Sequence, residues 1–180
     1  MTPQLLLDFW FAPEHQKLWF DSTPNFDETI RERFAHVWQG ARQEGCPDWE
    51  KTAQGALALV ILFDQMPLNM YRGLPESFST EQQAREVASR AINTGFDQDL
   101  DNAGKMFLYL PYMHSEELAD QDRSISLFKE AGLEQNLKFA HHHRNIVQRF
   151  GRFPHRNTIL GRDSTNEEIE WLASGEAFLG

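Results

Sequence analysis

Apolar residues recur at helical spacing along almost the whole chain, and runs in which β-branched residues alternate with polar ones are absent. A chain patterned this way buries stripes rather than sheet faces, so the expected fold class is all-α. Phe26, Ile30, Phe34, Val37, Trp38 and Ala41 form one stripe, with Asn25 placed as an N-cap, Asp27 and Glu28 in the first turn, and Gly45 and Pro47 at the end. A second helix is expected from Ala53 to about Asp64, stopping near Met66 because Pro67 disfavours a helical residue before it. Ser79 and Gln82 have the spacing of a capping box, opening a helix that carries Ala84, Val87, Ala88 and Ala91 and closes near Gly95.

Further helices are expected from Lys105 to Tyr112, from Ser115 to Lys129 and from Leu133 to Phe150, separated by Gly132 and ended by Gly151. Pro154 suits a first helical position, Gly161 a C-terminal cap, and Ser164 with Glu167 or Thr165 with Glu168 a final capping box. Eight or nine helices result. At 180 residues the chain suits one domain over residues 1–180, with no linker and no self-similar repeat of about 34 residues.

Charge narrows the partners. A net charge of −10 repels phosphate backbones, so no nucleic acid is expected, and the apolar run from Ala56 to Phe63 is too short for a membrane span of about 20 residues. The expected compartment is the cytoplasm, in keeping with the one cysteine, Cys46, read as an inert thiol. From Gln135 to Arg162 there are six Lys or Arg and no Asp or Glu, so this stretch is +6 and the remainder −16. Such a segment needs acidic company from the fold or from a ligand.

Three polar patches could carry chemistry. Arg149, Arg152, His155 and Arg156 surround Gly151 and Pro154, and read either as partners of buried carboxylates or as the guanidinium part of an anion site at a helix N-terminus. On the preceding helix His143 lies on the stripe of Phe139, Ile146 and Phe150, as a hydrogen-bonded core histidine or a general base. Asp64 follows Leu57, Val60 and Ile61 inward, either as the partner of an Arg or backbone N–H that anchors the Pro67 turn or as an orienting or general-base carboxylate, with Gln65, Asn69 and Arg72 extending its patch. If the helix after Met113 begins at His114, then His114, Glu117 and Gln121 share a face and set an imidazole beside a carboxylate; otherwise Ser115 caps that helix and the glutamates serve its dipole. Phosphate loops, metalloprotease helices, nucleophile elbows and cysteine zinc spacings are all missing, so neither a metal nor another cofactor is expected.

Phe63-Asp64-Gln65-Met66-Pro67, Asn69, Arg72-Gly73, Phe107 to Pro111, His114-Ser115-Glu116 and the block from His143 through Arg149 to Asn157 and on to Leu160-Gly161-Arg162 resemble the bacterial family catalogued as domain of unknown function number 924. The resemblance runs from Leu7-Asp8-Phe9-Trp10-Phe11 to the last helix. It implies a tetratricopeptide-like array of antiparallel helical hairpins and no particular activity. Leu68 and Asn145 depart from it, the first standing where the family has Arg and the second where an acidic residue is common. Three readings follow: a pocket for a small anionic molecule with His/carboxylate proton transfer, a hairpin module that binds a peptide or a partner protein, or a closed network of structural polar residues. The sequence leaves oligomeric state open.

Overall fold

The computed structural model describes residues 1–175, and among them there is no strand. The helices are α1 (Pro3–Trp10), α2 (Pro13–Gln16), α3 (Pro24–Glu44), α4 (Ala53–Val60), α5 (Met66–Met70), α6 (Glu81–Thr94), α7 (Asn102–Met113), α8 (Leu118–Glu130), α9 (Glu134–Phe150) and α10 (Asn166–Ala173). Short 3-10 turns lie at Trp49–Lys51, Pro75–Phe78, Phe96–Asp99 and Pro154–Arg156. A π turn at Ile61–Gln65 joins α4 to α5 without a break, so these ten segments make nine helices along the described chain.

The chain divides into two compact units, one of Met1–Arg72 with Glu76–Pro111, the other of Gly73–Pro75 with the chain from Tyr112 onward. In the first, threonine hydroxyls open the helices: Thr2, Thr23 and Thr52 accept the N–H of Leu5, Phe26 and Gly55, and Pro3 and Pro24 sit where a missing N–H costs nothing. Gly55 is required for a second reason, since a Cβ there would stand 2.0 Å from the Trp49 carbonyl oxygen. Helix α4 packs against α1 and α6, and α3 against α5. These helices bury Trp10, Ile30, Phe34, Leu59, Met66 and Met70, and the π turn and α7 add Ile61, Leu62 and Phe107.

The helix expected to stop near Met66 does not stop. Pro67 has no N–H to offer the preceding turn, and the chain absorbs this by widening: the Met66 N–H bonds the Ile61 carbonyl five residues back, and Pro67 falls in the first turn of α5. The carbonyl of Phe63 is satisfied from outside the helix by the Thr80 hydroxyl, which donates to it over 2.6 Å and accepts the Trp38 indole N–H over 3.1 Å. The same engagement of Thr80 displaces the expected capping box. Thr80 is the N-cap of α6 without a side-chain cap bond, and the Ser79 hydroxyl turns to the Glu76 carbonyl. Gly95 closes α6 with φ +82° as expected.

In the second unit α8 and α9 pack as a hairpin across the turn at Gly132, burying Leu127, Phe128, Ala140, Ile146 and Val147. Gly151 ends α9 with φ +69°, a conformation that costs any other residue strain. Phe153 and Trp171 complete a core with Ile146 and Val147, flanked by Phe150 and Leu172. Of the two final capping boxes, the Thr165–Glu168 one forms and opens α10.

Candidate functional site

Asp64 and Gln65 ride on the π turn of the first unit. Both are buried, and the Gln65 amide donates to Asp64 Oδ2 over 2.6 Å. Arg72 and Asn69 do not extend this patch. They turn instead to Asp27, which accepts Arg72 Nε at 2.7 Å, Arg72 Nη2 at 3.2 Å, the Asn69 amide at 2.7 Å and the Ser22 hydroxyl at 2.6 Å. Burial works to raise the Asp27 carboxyl, but these donors outweigh it and hold it below the usual carboxylate range. Asp27, read from the sequence only as a first-turn acid, is therefore the centre of a satisfied structural network.

The arginines of the basic stretch are answered within the second unit. Arg152 forks onto the Glu168 carboxylate at 2.7 and 2.8 Å, and Glu168 also takes the Thr165 N–H at 2.7 Å and the Asn157 amide at 3.3 Å. Hydrogen bonding from Arg152 holds the Glu168 carboxyl down to about 2. Arg149 bonds Glu167 at 2.8 Å, and Arg144 bonds Asp122 at 2.5 Å. The expected helix N-terminus at Pro154 is a 3-10 turn of three residues, too short to act as an anion-binding dipole. Arg149 and Arg152 thus fasten α10 to α9.

Helix α8 begins at Leu118, not at His114, so the condition for a shared His114–Glu117 face is not met. Glu117 is the exposed N-cap residue, without a side-chain cap bond. Ser115 does not cap either: its hydroxyl donates to Asp120 over 2.6 Å and accepts the Glu117 N–H over 3.2 Å. The carboxylate that matters in this turn is Glu116. It accepts the Phe153 N–H at 2.8 Å and the Arg162 guanidinium at 2.7 and 2.9 Å. Burial raises the Glu116 carboxyl, and the Arg162 and Phe153 hydrogen bonds more than reverse this.

Around the fully buried Phe153 ring stand three polar groups. The Arg156 guanidinium lies 4.7 Å above its centroid, the His143 ring is 5.5 Å away nearly edge-on, and the His155 ring 5.6 Å away at 37°. His143 Nδ1 bonds the Phe139 carbonyl at 2.9 Å, and since a carbonyl only accepts, the proton sits on Nδ1. Burial lowers the His143 pKa to about 3, with His114, His142 and Arg156 adding repulsion. Burial likewise lowers His155 to about 4, aided by Arg156, Arg162 and His114 and opposed by Glu116. The Nδ1 atom of His155 is buried with no hydrogen-bond partner among the described residues.

Within the second unit, then, His114, His143, His155 and Arg156 fall in one electrostatic neighbourhood, together with Glu116 and Arg162. Arg72, Arg149 and Arg152 are tied up by carboxylates. Sequence reasoning passed over Glu116 and Glu168 because both have a sufficient local explanation as acids near a helix start. Nothing along the chain links Glu116 to an arginine 46 residues later. Among the described residues no group of three or more His, Cys, Asp or Glu could hold a metal ion, and no helix is long and apolar enough to cross a membrane.

A family model described as bacterial protein of unknown function, DUF924, matches residues 6–176. Among solved structures, a protein of unknown function from Agrobacterium tumefaciens, ATU0120, is similar at 38% identity with a TM-score of 0.89, covering 94% of this chain and 96% of its own. Among curated proteins nothing matches.

Proposed function

The chain belongs to the bacterial family DUF924, and from that premise we propose that its second unit binds a small anionic molecule beside Phe153, acting in the cytoplasm. His143, His155 and Arg156 would receive the ligand, with His114 at the edge of the site. The single observation that carries this reading is His155. Its Nδ1 is buried and makes no hydrogen bond among the described residues, although Arg156 and Arg162 add to the positive field around it. A buried polar atom left without a partner costs free energy, and a ligand atom that pairs with it recovers that cost. An anion placed there also opposes the burial and the Arg156 repulsion that together keep the imidazole neutral, so binding draws in a proton. Proton transfer between His155 and a bound acid, with Glu116 as the nearby carboxylate, is the chemistry such a site can support.

The test is a thermal-shift screen of phosphate, sulfate and small mono- and dicarboxylates against the wild type and His155→Asn. A ligand at a hundred times its dissociation constant stabilises the native state by about 2.7 kcal/mol. We expect a stabilising anion whose effect grows between pH 7 and pH 5 and disappears in His155→Asn. A wild type indifferent to every anion at both pH values refutes the reading.

One observation favours a tetratricopeptide-like peptide-binding module instead. A groove of about 440 Å³ lies on the second unit, lined by His142, Asn145, Ile146, Arg149, Phe150 and Trp171. An extended peptide with an apolar anchor fits such a floor. Peptide capture abolished by Trp171→Ala, alongside an unresponsive anion screen, is the outcome that selects this module.

A further inference from the structure

The turn that carries His114 and Glu116 is pinned at three points. Gln121 is fully buried, and its amide nitrogen donates to the carbonyls of Met113 at 2.8 Å and Ser115 at 2.6 Å. The Ser115 hydroxyl ties the turn forward to Asp120. Glu116 ties it to the segment after Gly151, and there the bonding closes a ring. One carboxylate oxygen accepts both the Phe153 N–H and Arg162 Nη2, the other accepts Arg162 Nη1, and Nη2 returns to the Phe153 carbonyl at 3.2 Å. The Phe153 N–H is therefore held by Glu116 alone, and its carbonyl is shared between Arg162 and the Arg156 N–H of the 3-10 turn, which donates to it over 3.1 Å.

The Phe153 ring is the surface against which His143, His155 and Arg156 are placed. A rotation of the Phe153 backbone turns that ring and displaces all three groups. The pair is only partly buried, with side chains 25% and 27% exposed, so its contribution to stability is small while its forked geometry is specific. We propose that Glu116 and Arg162 are positioning residues, which fix the orientation of Phe153 and through it the arrangement of the two imidazoles and Arg156. That this arrangement serves an anion rests on the function proposed above; the positioning itself does not.

Two charge-conserving variants of the full chain test this, Glu116→Asp and Arg162→Lys, since each keeps the local charge and spoils the fork. The readouts are the imidazole resonances of His143 and His155 in long-range proton–nitrogen spectra, phosphate affinity by titration, and the unfolding temperature. The expected result is an unfolding temperature close to that of the wild type, displaced resonances for both histidines, and phosphate binding weakened by about ten-fold or more, since a misplacement of about 1 Å can cost about a hundred-fold in a preorganised site. Wild-type resonances in both variants overturn the proposal, as does a fall in unfolding temperature with the resonances unmoved. If one variant fails to fold, the other carries the measurement. Displaced resonances in a protein whose wild type binds no phosphate uphold the positioning role and count against the anion site alone.

Discussion

His143 and His155 differ from ordinary histidines in a way that stability measurements can read. Their folded-state values of about 3 and about 4 lie below the ordinary 6.5, chiefly through the desolvation of partial burial and secondarily through repulsion, led by His114 and His142 at His143 and by Arg156 at His155. In the unfolded chain each binds a proton as pH falls through 6.5, while the native state refuses it. Stability is therefore complete above pH 6.5 and declines as pH falls towards 4, by at most about 1.4 kcal/mol per unit for each histidine. Glu168 and Glu116 act in another window: their lowered carboxyls contribute stability above about 4.5, which is lost only on further acidification. A fall in the urea midpoint between pH 6.5 and pH 5 thus belongs to the histidines. We expect His155→Asn to flatten that slope, and an unchanged slope in this variant and in His143→Gln would disprove the assignment. The sequence made His143 legible because its neighbours Phe139, Ile146 and Phe150 announce an apolar face. His155 was legible only as part of a cationic cluster, since its missing partner is a fact of three dimensions.

At the scale of the element, the π turn shows how a local rule can be right in its physics and wrong in its outcome. Pro67 does withhold an N–H, yet the helix continues because Thr80, on another helix start, supplies the hydrogen bond to Phe63. That donor lies 17 residues along the chain, so no window around Pro67 could have revealed it. The end of α6 at Gly95 and the box at Thr165 were legible, by contrast, because every participant lies within one helical turn. Thr80→Val keeps the shape of the side chain and removes its hydroxyl, leaving the Phe63 carbonyl and the Trp38 N–H without their partner. A cost of about 1–3 kcal/mol is expected from denaturant unfolding, with faster amide exchange across residues 61–66. In a Pro67→Ala background a backbone N–H returns to the turn, and Thr80→Val should then cost less. Equal costs in the two backgrounds would show that Thr80 does not stand in for the proline.

Across the whole chain, the all-α class and the helix ends at Gly45, Gly95 and Gly151 followed from periodicity and from glycines, which act over a few residues. The pairing of charges did not, because Arg144, Arg149, Arg152 and Arg162 meet carboxylates 16 to 46 positions away. Those pairs decide what the +6 stretch can do. Four of its six cations already bond Asp122, Glu167, Glu168 and Glu116, so the local excess of charge is largely answered inside the second unit. A polyanion would have to compete with carboxylates held at hydrogen-bond distance, and to approach a protein of net charge −10. Phosphate-backbone binding depends on displacing counterions with available Lys and Arg, and here few are available. Fluorescence anisotropy with labelled single- and double-stranded DNA at about 50 mM salt, where such binding is strongest, should therefore show no association in the micromolar range. Tight binding that weakens steeply with added salt, and is reduced by Arg149→Ala, would show that the basic stretch is not neutralised by its own fold.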